Sequence, residues 1–340
     1  MSSFEITSAC ERFPALKQTQ VFFDNAGGSQ TLGTVIDSAG YEAAAKYINA
    51  SPDNIVLGSS TTQLFRNLSY ALSFPAGSEL ILSSIDHEAN IASWVDLASR
   101  LDLKIKWWTP KTKENPKLLA SDLPELLSPK TVLVTCTHAS NILGTIHDIK
   151  AIAEAVHTIP GALLCVDAVA YAPHRPIDVK NLGVDFYAFS WYKVYGPHIS
   201  ILYASPTGLN ATKSLNHFFN PSTTLSNKLG LAGSCYELTA SIPAVLSYFG
   251  PNPSESWAAI EKHEGELQSL LLHYLNGRGD VMICGEKEAD TKKRVSTISF
   301  VVKGRSSQEV VEDVDKASGG WGRMGCDGGT AINWHSGRSA

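Results

Sequence analysis

Between residues 55 and 203, short apolar runs alternate with stretches of helical spacing. Nearly every apolar run stops on a polar cluster. The strand-like runs are 55–57, 79–82, 104–108, 131–135, 162–166, 186–189 and 199–203; the stretches 62–72, 89–100 and 149–156 space their apolar residues as helices do. Strands of four to six residues separated by helices predict a mainly parallel sheet covered on both faces, an α/β fold. In such sheets ligands bind where strand carboxyl ends open into loops. Five polar clusters follow strands here: SerSerThrThr, AspHisGluAlaAsn, HisAlaSerAsn, AspAlaVal and SerTrpTyrLys.

Composition narrows the classes of function. The 340 residues are 44% hydrophobic and 18% charged, an ordinary globular balance that excludes disorder and collagen-like repeats. A net charge of -5 leaves no electrostatic footprint for nucleic acid or an anionic membrane. No run approaches the roughly 20 apolar residues that span a bilayer. The N-terminus, MSSFEITSACERFPALKQTQ, lacks an apolar core and does not read as a secretory signal. Cys10, Cys136, Cys165, Cys235, Cys284 and Cys326 are scattered without a CxxC pair, so neither zinc nor a disulfide framework is expected, and the expected compartment is the reducing cytoplasm. Cys136 and Cys165 lie in apolar runs and read as small core residues.

After about Asn210 the pattern changes. Helical spacing covers 236–248, 257–275 and 307–316, and 295–302 reads as a strand. This predicts a large domain over 20–210 with a return segment 211–250, and a smaller α+β domain over 251–317 that looks incomplete. The last 23 residues, 318–340, hold seven glycines and read as an unstructured tail.

Two residues suggest the chemistry. Lys193 ends the run FYAFSWYK, and Asp167 closes the run ALLCV. Alone, Lys193 reads as a surface lysine after a strand and Asp167 as a turn or cap residue. A carboxylate buried at a strand end needs a hydrogen-bonding or cationic partner. Together the two fit pyridoxal 5'-phosphate, a lysine forming a Schiff base with the aldehyde and an aspartate pairing with the pyridinium nitrogen. No GxGxxG or GxxxxGK[ST] pattern occurs, which sets a nucleotide-binding reading aside.

A series of motifs then follows in chain order. Phe23-Asp24-Asn25-Ala26-Gly27-Gly28 resembles an LDNA opening, Gly58-Ser59-Ser60-Thr61-Thr62 an SGTT phosphate loop, and Asp86-His87-Glu88-Ala89-Asn90 an EHHAN segment. Thr137-His138-Ala139-Ser140-Asn141-Ile142-Leu143-Gly144 resembles xHVSNxxG, Val166-Asp167-Ala168-Val169-Ala170 resembles VDGAQ, and Ser190-Trp191-Tyr192-Lys193 resembles SxHK. Gly233-Ser234 resembles a later GT. In this order they resemble the class V aminotransferase family, the cysteine-desulfurase-like branch of fold-type I pyridoxal-phosphate enzymes.

The resemblance implies a fold-type I large domain, a small-molecule amino-acid substrate and a homodimer with shared sites. It implies catalytic roles for Lys193, Asp167 and His87: Schiff-base and proton-moving amine, ring-nitrogen partner, and ring-stacking imidazole. Asn141 would bond near the phenolic oxygen. Ser60 and Thr61 would hold the phosphate at a helix start, where N–H groups suit anions. Ser190 and Tyr192 would add phosphate contacts, and Ser234 would reach the phosphate of a neighbouring subunit. His138, His174 and Arg175 are weaker candidates for facing the pocket, with surface positions as the alternative.

Three departures from the family pattern stand out. The stretch between Gly28 and Gly58 is short, Ala170 stands where glutamine or histidine is usual, and the segment from Ser318 does not continue the small domain. GlyArg323MetGlyCys326 echoes the family's arginine–cysteine region only faintly. Transamination, lyase and related Cα chemistry share the same core residues. Cysteine desulfurase chemistry, a fungal alkaloid pathway enzyme of loline type, and an inactive truncated relic are the alternatives.

Overall fold

The computed structural model describes residues 39–230 and 233–317. The opening motif 23–28 and the glycine-rich tail with Arg323 and Cys326 lie outside the described residues.

Seven strands form one sheet: β1 (Ile55–Gly58), β2 (Glu79–Ser83), β3 (Lys104–Trp108), β4 (Thr131–Thr137), β5 (Leu163–Asp167), β6 (Phe186–Ser190) and β7 (Ser200–Ala204), in spatial order β1-β7-β6-β5-β4-β2-β3. The pairs from β3 through β6 are parallel, whereas β7 runs antiparallel to both β6 and β1. That antiparallel edge is the minority part of the mainly parallel sheet that the alternation of runs implies. The link from β6 to β7 is a tight turn in which Tyr195 adopts φ 55, and no crossover helix fits in so short a connection.

Alternating side chains on the strands enter two separate cores. Val134, Cys136, Leu164, Val166, Tyr187 and Phe189 pack on one face, with α1 (Ala39–Tyr47) and α4 (Ile149–Val156). Leu133, Leu163, Cys165, Phe186 and Ala188 pack on the other, with α2 (Thr61–Ala71) and α3 (Ala92–Leu101). Both faces are therefore dry, which is why β5 and β6 are apolar without alternation. Each fully buried leucine contributes about 1.5–3 kcal/mol. In α4, Asp148 caps the first turn by accepting from Ala151 N at 3.1 Å, and Ile149, Ile152, Ala153 and Val156 form one buried stripe.

Short helices α5 (Val179–Leu182), α6 (Pro206–Ala211) and α7 (Leu225–Leu229) line the sheet. The expected helix 236–248 is two helices, α8 (Tyr236–Ala240) and α9 (Ile242–Tyr248), because Pro243 sits in the first turn of the second. Then come α10 (Pro253–Asn276), a hairpin of β8 (Val281–Cys284) and β9 (Ser299–Val302), and α11 (Ser307–Ala317). β9 starts later than its apolar run, because 293–297 instead lies along the turn after β4. Val295 N donates to Gly144 O at 2.8 Å, and Ile146 N donates to Lys293 O at 2.8 Å.

Candidate active site

Three parallel strands end side by side. Thr137 of β4 is in register with Asp167 of β5, and Asp167 with Ala188 of β6. Asp167 is buried, and its Oδ1 accepts from Val169 N at 2.9 Å. Burial pushes its carboxyl above the usual carboxylate range, while the Val169 N–H and the charges of His87 and Lys193 pull it back. Lys193 is exposed in the turn that follows β6, and its ammonium makes no hydrogen bond or ion pair among the described residues.

His87 heads the short 3-10 turn Glu88–Asn90 after β2. Its Nδ1 accepts from Ala89 N at 3.1 Å, so the proton resides on Nε2 in the neutral ring. The ring is exposed. That turn postpones α3, which begins at Ala92 rather than at 89.

At the start of α2, Ser60 accepts from Gln63 N at 3.1 Å, and Gln63 Oε1 accepts from Ser59 N at 3.2 Å. Ser60 therefore serves as the helix cap, and the first-turn N–H groups beyond it point off the helix end. Gly58 permits this approach: a Cβ there would collide with the Gln63 side chain and lie 2.7 Å from Leu64 Cδ2. Thr61 turns inward instead. Its Oγ1 lies 2.9 Å from Ser190 Oγ, which lies 2.7 Å from Ser200 Oγ. All three hydroxyls are buried. A helix N-terminus, buried hydroxyls, an exposed lysine and a buried acid at adjoining strand ends suit a phosphate-bearing cofactor with one basic ring nitrogen.

Other expected residues take different places. Asn141 is exposed in the turn after Ser140, and Ser234 is half-buried just before α8. Tyr192 is exposed, with its ring stacked on His198 at 5.3 Å. His138 does not open to solvent: it stacks on Tyr171 at 3.5 Å, and its Nδ1 lies 2.7 Å from Tyr187 Oη. Burial pulls its pKa down to about 3, so it stays neutral. His174 and Arg175 turn towards α10, where both meet Glu264, at 2.5 and 2.8 Å.

Two residues escaped the sequence reading. Asp86, 4% exposed, accepts from Thr137 N at 3.0 Å and from Asn90 Nδ2 at 2.6 Å. Burial pushes it up to about 7, and the nearby Asp167 adds to the rise. It follows the end of β2 by three residues, a weaker form of the signal that drew attention to Asp167 at the end of β5. Ser200 left no such signal, because it meets Ser190 only through the antiparallel pairing of β7.

Comparison with known proteins shows the family. A sequence model of the family described as Aminotransferase class-V matches residues 34–320. An aminotransferase-like protein of Gibberella zeae is 52% identical, over 93% of this chain and 87% of its own length. A cysteine desulfurase-like protein of Aspergillus flavus is 39% identical, over 92% of this chain and 78% of its own. The fold is similar to that of the cysteine desulfurase CsdA from Escherichia coli, with a TM-score of 0.72 and 22% identity over 93% of this chain and 87% of that one. The chain belongs to the class V aminotransferase family, whose cofactor is pyridoxal phosphate.

Proposed function

We propose that the protein acts at the α-carbon of a small amino acid with Lys193, Asp167 and His87 as its catalytic residues. The observation that carries this reading is a buried Asp167 carboxyl at the end of β5, between the ends of β4 and β6, with Lys193 in the turn that follows β6. Bound pyridoxal phosphate supplies an electron sink for the electrons of a broken Cα bond. Asp167 would keep a proton on the ring nitrogen, His87 would cover a ring face, and Asn141 would reach the phenolic oxygen. Thr61 and Ser190, with the N–H groups at the start of α2, would hold the phosphate, and Ser60 would act there through its cap. Tyr192 would add a phosphate contact. Lys193, free of competing partners among the described residues, would carry the aldehyde and move the proton at Cα.

The thiols bear on which Cα chemistry follows. Cys136 and Cys165 are fully buried, and burial pushes both well above the usual thiol range, so neither suits a desulfurase nucleophile. Cys235, by contrast, is exposed just before α8, so we favour transamination or lyase chemistry on the family resemblance and leave desulfurase chemistry to the product test below. A second copy of the chain, donating Ser234 to its neighbour's phosphate, belongs to the same proposal. Phe218 is fully exposed and Phe219, Tyr195 and Tyr248 largely so, an apolar surface suited to such contact. The four described cysteines are unpaired, in keeping with a cytoplasmic setting. Among the described residues no helix is long and apolar enough to cross a membrane.

The test loads the purified protein with pyridoxal phosphate, reduces it with borohydride and maps the label by mass. Label on Lys193, and loss of turnover by about a thousandfold or more in Lys193→Ala, is expected. Label elsewhere, with Lys193→Ala fully active, would sink the assignment. An amino-acid panel read by product mass then separates transamination and lyase products from sulfide release. Sedimentation should give about twice 36.6 kDa.

A further inference from the structure

Asp86 has no role in the proposed chemistry, yet it joins the two elements that carry His87 and Asp167. One carboxylate oxygen takes the Thr137 N–H at 3.0 Å, and the other takes the Asn90 amide at 2.6 Å. Asn90 in turn accepts from Trp94 Nε1 at 2.9 Å, which locks the turn behind His87 to α3. On the other side Thr137 Oγ1 donates to Ala139 O at 2.7 Å and, at 3.2 Å, to the backbone carbonyl of Asp167 itself. His138 N donates to that same carbonyl at 2.8 Å. Asp86, Asn90 and Thr137 are all at most 5% exposed. No lysine, arginine or histidine pairs with Asp86 among the described residues. The polar and titratable groups around it are Ser83 from β2, Asn90 from the turn, Thr137 and Cys136 from β4, and Asp167 and Cys165 from β5. His87 and Lys193 act on Asp167.

We propose that Asp86 is a positioning residue that sets the proton affinity of Asp167, and through it that of the ring nitrogen, while anchoring the turn that presents His87. This inference rests on the reading that Asp167 meets the ring nitrogen. The physical basis is that the two acids meet at Thr137, whose N–H donates to Asp86 and whose register partner on β5 is Asp167: a negative charge on one buried carboxyl raises the proton affinity of its neighbour, and of any base that the neighbour serves. The coupling is reciprocal. Burial alone would keep Asp86 neutral, but its donors favour the ionised form, and the balance leaves its titration near neutrality, at about 7. The site thus gains negative charge as pH rises through neutrality, which holds a proton on the ring system over a wider pH range.

The experiment has two arms. In the first, wild-type protein and Asp86→Asn are loaded with pyridoxal phosphate, and the bound cofactor's absorption bands are titrated with pH. The expected result is a midpoint lower by about half a unit or more in the variant, a threefold or greater loss of proton affinity. Equal loading with an unchanged midpoint would overturn the proposal. The second arm needs neither cofactor nor a folded Asp86 variant. Carbon-13 carboxyl resonances of the cofactor-free wild-type protein are titrated and compared with Asp167→Asn. An aspartate titrating near neutral pH, whose midpoint falls when Asp167 loses its charge, supports the coupling. If every aspartate titrates in the ordinary acidic range, indifferent to Asp167→Asn, the coupling is refuted. A cofactor whose spectrum ignores Asp167→Asn would count against the ring-nitrogen reading itself, while the cofactor-free arm still decides between coupled and uncoupled carboxyls.

Discussion

At the carboxyl ends of β4, β5 and β6, Thr137, Asp167 and Ser190 are 5%, 4% and 3% exposed. Along α10, Leu270, Tyr274 and Leu267 are 71%, 57% and 54% exposed. The first region places polar groups in a dry setting and satisfies them through one another. The second leaves apolar groups in water, and among the described residues its separate core has three buried members, Leu272, Leu275 and Ile283. A groove of about 1040 Å³ along α10, lined by residues including Glu261, Lys262 and His273, contains none of the strand-end residues. The difference shows where precision is needed. A site that must hold a proton on one atom needs low dielectric and fixed donors, and a two-faced sheet supplies both. The C-terminal layer contributes at fewer points. Its buried links are the Arg175–Glu264 pair and the fully buried Arg294, whose guanidinium holds the carbonyls of Glu286 and Thr297.

The sharpest way to break this contrast is to cut the link. Arg175→Ala leaves the largely buried Glu264 with His174 as its remaining partner, and should cost about 3 kcal/mol in denaturant unfolding, the low end for breaking a buried pair. Hydrogen exchange should show α10 losing protection while β5 keeps it. Next, Leu164→Ala removes a fully buried side chain between β5's neighbours and should cost about 3 kcal/mol, whereas Leu270→Gln on α10 should stay within about 0.5 kcal/mol. Similar costs at the two positions would erase the distinction between the regions.

Acid offers a third probe. Burial pulls His147 down to about 4 and His138 to about 3, from 6.5. Below about pH 6.5 the unfolded chain takes up protons on these rings that the folded chain refuses. Stability must therefore fall as pH drops from 6.5 towards 4, by about 2 kcal/mol per ring at pH 5. Asp86 works in the opposite sense, because its folded pKa is raised: between 3.8 and about 7 the folded state binds the extra proton, and stability falls as pH rises through that window. His147→Gln should flatten the acid limb measured by thermal melting. A limb as steep as the parent's would mean that His147 is not the group responsible. The smallest effect is expected for Ser200→Ala, which removes one member of the hydroxyl cluster. It should cost about 1 kcal/mol in stability and weaken cofactor retention in dialysis by about threefold to tenfold, with fold and β7 register unchanged.

Much of this architecture could be read from residue order. Strand–helix alternation predicted β2 through β6 to within two residues at either end, and α4 residue for residue, because apolar runs bounded by caps are local signals. Cys136 and Cys165 lie in the core, as their apolar surroundings implied. Harder to read were α1, whose alanines carry little periodic signal, and β8, whose four residues gain partners only from β9. The break between α8 and α9 hung on a proline that can sit inside a first turn as well as end a helix.

Sequence alone marked Lys193 and Asp167, since each is a reactive side chain at the close of an apolar run, and the order of motifs along the chain carried the family resemblance that marked His87. Tertiary structure decided the rest. Whether His138 met solvent or Tyr171, whether Arg175 met a pocket or Glu264, and whether Ser200 had any companion all depended on contacts between residues far apart in the chain. Asp86 carried a local signal, but its neighbour Asp167 belongs to another strand. The physical reason is that a side chain's charge and partners follow from burial and proximity, and strand order and direction set both.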